Sequence, residues 1–227
     1  MVPGQREREN RIVGLIGVKG AGKTQKAKQF FRRRDRVVVL DPLAEYQGGF
    51  VVSGQVETLD YLCGTNRFRV IYRPLEEADF RFVCKTVWKA QDCLFIAEEL
   101  GRYCDPQSIP DEFDEIVTRG RHRRIDLVYT VQRYSIIHRN VTAMTDEWYI
   151  FRQTEPVDLD VMERRFGKAV AGIVRDLDDL EAVHIRQKEF RAHDPKSYRL
   201  VAIQPGRGVR VHELHGELAE RSVERGS

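Results

Sequence analysis

Residues Gly17-Val-Lys-Gly-Ala-Gly-Lys23-Thr24 carry the spacing G-x-x-x-x-G-K-[ST]. Glycines at such positions let backbone N–H groups turn inward around phosphate oxygens. A helix starting there adds the partial positive charge of its N-terminus. Lys23 can reach the β- and γ-phosphates, and the Thr24 hydroxyl can ligate magnesium. Gly17, Val18, Lys19, Gly20, Ala21, Gly22, Lys23, Thr24 and the following Gln25 are therefore the expected nucleotide cradle, with ATP and Mg2+ as cofactors. The Lys19 side chain is given no special part. The competing reading is a chance glycine-rich turn. Context disfavours it, because an apolar run, Ile12–Ile16, precedes the loop and a breaker-free stretch, 23–33, follows it.

A second chemical element is Glu98-Glu99, directly after the apolar run 93–97. One carboxylate at such a strand end can hold magnesium, usually through water, and a second can act as general base on the attacking water. Glu98 is assigned to the metal and Glu99 to the water. The bland alternative is the acidic first turn of an exposed helix. Gln132 ends another apolar run and is the candidate to orient the water or sense the γ-phosphate; a glutamine bonded to a neighbouring loop is the plain alternative. Arg119-Gly-Arg121-His122-Arg123-Arg124 places five basic side chains in six residues, which repel one another unless an anion is near. A solvated turn, nucleic-acid phosphates and an arginine finger reaching a neighbouring subunit's ATP all remain open for it.

Positioning these groups requires strands that end where they stand. Apolar runs at 12–16, 36–40, 68–72, 93–97, 125–131 and 148–151 read as buried strands, and 183–186 and 198–203 add candidates. Helices are expected over 23–33, 76–90, 111–118, 157–166 and 170–180. Alternation of this kind implies an α/β fold, a mainly parallel sheet covered by helices on both faces, with ligands at the carboxyl ends of strands. The expected division is a polar lead-in over 1–10, one motor domain over 11–204, and a polar, partly loose tail over 205–227.

The chain of 227 residues is 41% hydrophobic and 32% charged, which allows a real core under a charged surface. Net charge is only +3, so bulk charge does not demand nucleic acid. Arginine outnumbers lysine 29 to 9. Arginine suits bidentate phosphate contacts, but a GC-rich codon bias explains most of that excess equally well. Cys63, Cys84, Cys93 and Cys104 form no C-x-x-C pair and read as reduced thiols. The start has no apolar signal core, and no run approaches a membrane span of ~18 residues. A soluble, cytosolic protein is expected.

The motif set resembles the HerA–FtsK superfamily of DNA-pumping P-loop ATPases. The matching segments are Asp41-Pro-Leu-Ala-Glu45-Tyr46, Glu98-Glu-Leu-Gly-Arg-Tyr103, Arg119-Gly-Arg-His-Arg123, Val131-Gln-Arg133 and Phe151-Arg-Gln-Thr-Glu-Pro156, followed by Asp158 and Phe166-Gly167. Glu98 stands where that family usually has Asp, Leu100-Gly101 replace Ala-His, and Tyr134 replaces a proline. The resemblance implies a P-loop NTPase of the additional-strand, RecA-like type and a homo-oligomeric ring, usually a hexamer. It also implies ATP between subunits and double-stranded DNA in the pore. It maps the trans finger to Arg121, with Arg119 and Arg123 in reserve. The short chain leaves no room for large accessory domains and looks like the genome-packaging ATPases of membrane-containing icosahedral viruses. Host cytoplasm or virion, and a capsid or membrane-vertex partner, follow from that likeness. The alternatives are a cellular HerA-like helicase or translocase, a small-molecule P-loop kinase, and a non-catalytic nucleotide-binding protein. His212-Glu-Leu-His215 misses the H-E-x-x-H zinc motif by one position and is read as surface tail.

Overall fold

The computed structural model describes residues 11–54, 56–192, 194–205 and 208–212. Among the described residues ten strands form one sheet: β1 (Ile12–Ile16), β2 (Arg36–Leu40), β3 (Phe50–Ser53), β4 (Phe68–Arg73), β5 (Leu94–Ala97), β6 (Asp126–Val131), β7 (Glu147–Phe151), β8 (Glu181–Arg186), β9 (Tyr198–Gln204) and β10 (Gly208–His212). Their order is β10-β9-β8-β7-β1-β6-β5-β2-β4-β3. From β7 to β3 every pairing is parallel, and β8 to β10 add antiparallel strands at one edge. The helices are α1 (Lys23–Arg32), α2 (Val56–Cys63), α3 (Asp79–Ala90), α4 (Asp111–Arg119), α5 (Arg139–Met144), α6 (Pro156–Phe166) and α7 (Lys168–Asp176).

The central strands are mostly apolar, with charged residues mainly at their starts, because both of their faces are covered. Successive residues point to opposite sides. Val37 and Val39 join one buried cluster, whereas Val38 and Leu40 join the other. Helix α1 packs into the first cluster through Ala27 and Phe31. Helices α2 to α7 pack into the second, around Phe80, Phe95, Phe113, Trp148 and Phe166. Among the described residues the cover is therefore asymmetric, with one helix against six. All four cysteines are buried free thiols.

Several boundaries differ from the sequence expectations. The helix expected from 76 begins at Asp79, whose carboxylate accepts from the Leu75 and Glu76 backbone N–H groups and turns the chain first. The helix expected over 170–180 spans Lys168–Asp176. Strand β3 and helix α2 were not expected. β3 is a short edge strand between glycines with three of its four residues exposed, so it lacks a buried apolar run. Gly208–His212, in the expected polar tail, pair antiparallel with β9. His215 lies outside the described residues. Among the described residues no helix is long and apolar enough to cross a membrane.

Candidate nucleotide site

The glycine-rich loop hangs between two strand ends. Gly17 N–H donates to Val131 O at the end of β6 (3.2 Å), and Val18 N–H donates to Arg152 O just past β7 (3.0 Å). The fit against β7 is close: a Cβ on Gly17 would lie 2.5 Å from Phe151 Cβ. Gly20 and Gly22 adopt φ of +84° and +112°, a region that favours glycine. Gly22 is the residue that precedes α1. Lys23 is buried, and its Nζ donates to the carbonyls of Gly17 (2.7 Å) and Val18 (2.9 Å). Burial pushes its pKa down, while Glu99, Glu98 and Glu45 pull it up. Thr24 and Gln25 are half-buried at the start of α1, and Lys19 is exposed.

The two acids stand where the sequence placed them, at the end of β5, two strands from β1. Glu98 is 4% exposed. Its Oε1 accepts from the Tyr46 hydroxyl (2.5 Å) and its Oε2 from the Thr130 hydroxyl (2.6 Å). Burial raises its pKa to about 7, the two hydroxyls oppose that rise, and Glu45 and Glu99 add to it. Glu99 sits at φ +52°, with its N–H donating to Thr130 Oγ1 (2.9 Å). Gln132 Nε2 donates to Glu99 Oε2 (2.9 Å). The structure thus brings Lys23, Glu98, Glu99 and Gln132 to one end of the sheet. Sequence reasoning missed Tyr46 and Thr130. Tyr46 carried only the motif Asp41-Pro-Leu-Ala-Glu45-Tyr46, and the hydroxyl in a strand that is apolar from Leu127 to Val131 apart from it was a signal that could have exposed Thr130.

Further contacts hold this end in place. Asp41 is 1% exposed and accepts from the N–H groups of Glu45 (2.9 Å) and Tyr46 (3.0 Å), so it ties a turn. Asp158, fully buried, accepts from Arg133 Nε (2.9 Å) and Ser135 N–H (2.8 Å), fixing the chain just after Gln132. Gln153 Nε2 donates to Gln132 O (2.8 Å). At the mouth of the loop Arg152 pairs with Asp179 (2.8 Å).

The arginine cluster lies elsewhere. The 3-10 turn Gly120–Arg123 precedes β6, so the cluster is at the amino end of the strand whose carboxyl end carries Gln132. Six residues of strand separate the two by about 20 Å. Arg123 lies over the Trp88 ring (4.9 Å), and Arg124 approaches Asp92 (3.8 Å). Arg119 and Arg121 are exposed. This separation removes the cluster from its own chain's glycine loop.

The residues present fit a magnesium nucleotide. The loop backbone is open and glycine-turned, and the Lys23 ammonium rests on two carbonyl oxygens that phosphate oxygens can replace. The oxygen donors Thr24 and Glu98 suit a hard cation. No family model matches the chain, and no curated protein matches it either. Solved structures do. The genome packaging NTPase B204 from Sulfolobus turreted icosahedral virus 2, in complex with ATP-gammaS, superposes with TM-score 0.70 at 16% identity, covering 91% of this chain and 98% of that one. B204, the DNA-packaging ATPase from Sulfolobus turreted icosahedral virus, gives 0.64 at 18%, covering 89% and 97%. EssC (ATPases 2 and 3) from Geobacillus thermodenitrificans gives 0.51 at 12%, covering 79% of this chain and 38% of that one. At these identities the likeness is one of fold: a single-domain α/β P-loop NTPase, similar over nearly its whole length to the viral packaging ATPases.

Proposed function

We propose that this chain hydrolyses ATP with magnesium and couples the reaction to movement of double-stranded DNA, as a subunit of a ring that packages a viral genome. One observation carries the reading. A nucleotide cradle, a buried acid and a second acid bonded to Gln132 share one end of the sheet, while exposed arginines occupy the other end, beyond reach of their own cradle. Similarity in fold and length to B204, described as a DNA-packaging ATPase, supports the assignment.

Each residue then has a task. Lys23 exchanges the Gly17 and Val18 carbonyls for β- and γ-phosphate oxygens. Thr24 and Glu98 hold magnesium, which supplies charge neutralisation at those oxygens. Glu99 accepts a proton from the attacking water as general base, and Gln132 keeps the Glu99 carboxylate aimed. Arg121, with Arg119 and Arg123 beside it, offers positive charge to the neighbouring subunit's γ-phosphate.

The test measures phosphate release with and without linear duplex DNA for wild type, Glu99→Gln and Arg121→Ala. DNA-stimulated turnover should vanish in both variants while nucleotide still binds. Mixing the two variants should restore part of it, because some interfaces regain an intact Glu99 and an intact Arg121. Turnover indifferent to DNA and to Arg121→Ala would defeat the ring-motor reading.

A further inference from the structure

Glu98 is held by two hydroxyls from opposite directions in sequence, Tyr46 and Thr130, 52 and 32 residues away. A hydroxyl has one proton to give. Thr130 donates its proton to Glu98 Oε2, so a lone pair on the same oxygen is left to accept the Glu99 N–H. The direction of the chain is thus set: Glu99 N–H to Thr130, and Thr130 O–H to Glu98. Gln132, just past the end of β6, grips Glu99 at its carboxylate. Thr130 in β6 and Gln132 after it thus hold Glu99 at its backbone and at its tip, and the same threonine holds Glu98.

Tyr46 makes the complementary link to α1. Its ring is 1% exposed and packs edge-on against Phe31 (5.5 Å), with Lys28 Nζ 5.6 Å from its centre. Thr24, Lys28 and Phe31 share one face of α1 by their spacing of four and three. The ring therefore stands between the helix face that begins with Thr24 and the strand end that carries Glu98. Its backbone is fixed in turn by Asp41.

We propose that Tyr46 and Thr130 are positioning residues. Tyr46 sets the spacing between Thr24 and Glu98, and Thr130 locks Glu98 and Glu99 into one unit. The proposal rests on the reading of Thr24 and Glu98 as the magnesium-holding pair. Both hydroxyls donate to Glu98 and act through the acids.

The experiment is equilibrium binding of a fluorescent ATP analogue across a magnesium titration, with kcat, KM and urea midpoints alongside. Tyr46→Phe keeps the ring and removes only the hydroxyl. It should raise the half-saturating magnesium concentration on the order of 10-fold, with magnesium-free affinity close to wild type and only a small drop in urea midpoint from the lost hydrogen bond to buried Glu98. Thr130→Val should lower kcat by a similar factor or more with little change in KM, and Thr130→Ser should rescue it. Glu98→Gln separates the two ways to fail. If it abolishes magnesium dependence while Tyr46→Phe and Thr130→Val match wild type, the positioning proposal falls and the metal assignment stands. If Glu98→Gln leaves magnesium dependence intact, the metal assignment falls and takes the proposal with it.

Discussion

Replacing Gly17 with alanine tests whether the glycine loop is set by its seat on β7. The added Cβ would lie 2.5 Å from Phe151 Cβ and 3.3 Å from Phe151 backbone atoms. Carbon atoms rest about 3.5–4.0 Å apart, so loop and strand must separate by about 1 Å. Phe151 is fully buried in β7 and cannot swing away. Overpacking of this kind costs about 1–3 kcal/mol. The shift also strains the Gly17–Val131 and Val18–Arg152 hydrogen bonds, worth about 1 kcal/mol each. A loss of roughly 2–4 kcal/mol in unfolding free energy follows, with nucleotide affinity down at least about 10-fold because the cradle has moved. Gly20→Ala is the control. Its Cβ meets nothing within 4 Å, and only its φ of +84° opposes alanine, at about 1–2 kcal/mol. Urea unfolding and binding of a fluorescent ATP analogue, measured on both variants, decide the matter. If Gly20→Ala proves the more damaging, or if Gly17→Ala stays within about 0.5 kcal/mol of wild type, the steric argument is wrong.

Two further predictions concern other carboxylates. Gln132→Ala removes the donor to Glu99 Oε2, so kcat should fall roughly 10- to 100-fold while nucleotide affinity holds; steady-state phosphate release and equilibrium binding check this, and an unchanged kcat would remove Gln132 from the mechanism. Glu147, at the start of β7, is buried, which by itself would raise its pKa. His184 (2.6 Å), Arg11 (3.2 Å) and the Tyr149 hydroxyl (3.1 Å) outweigh burial and hold it at about 2, below the ordinary 4.5. A depressed pKa stabilises the fold above pH 4.5, and that stability is lost as pH falls toward 2. The contribution is at most about 3 kcal/mol, and less in practice because Arg11 is half exposed. Urea midpoints between pH 7 and pH 3 should fall more steeply for wild type than for Glu147→Gln, and parallel curves would contradict the assignment.

Much of the nucleotide end was legible in the chain itself. The glycine loop is contiguous, and its function depends on backbone turns within eight residues, so local spacing suffices to announce it. Glu98, Glu99 and Gln132 could be placed at strand ends because buried strands write themselves as apolar runs, and ligands in such folds gather where those runs stop. β3 and α2 escaped because an exposed edge strand has no apolar run and α2 shows little beyond Leu59 and Cys63 on its buried face.

What the sequence by itself determined is therefore which candidate groups stand at strand ends and the kind of sheet that carries them. Only the tertiary structure decided how those groups are held and which can meet. The Tyr46–Glu98 and Thr130–Glu98 hydrogen bonds and the Asp158 clasp on Arg133 depend on which strand ends lie side by side. In a parallel sheet neighbours in space are separated by whole crossovers in sequence, so no local pattern can encode which strand end faces which side chain.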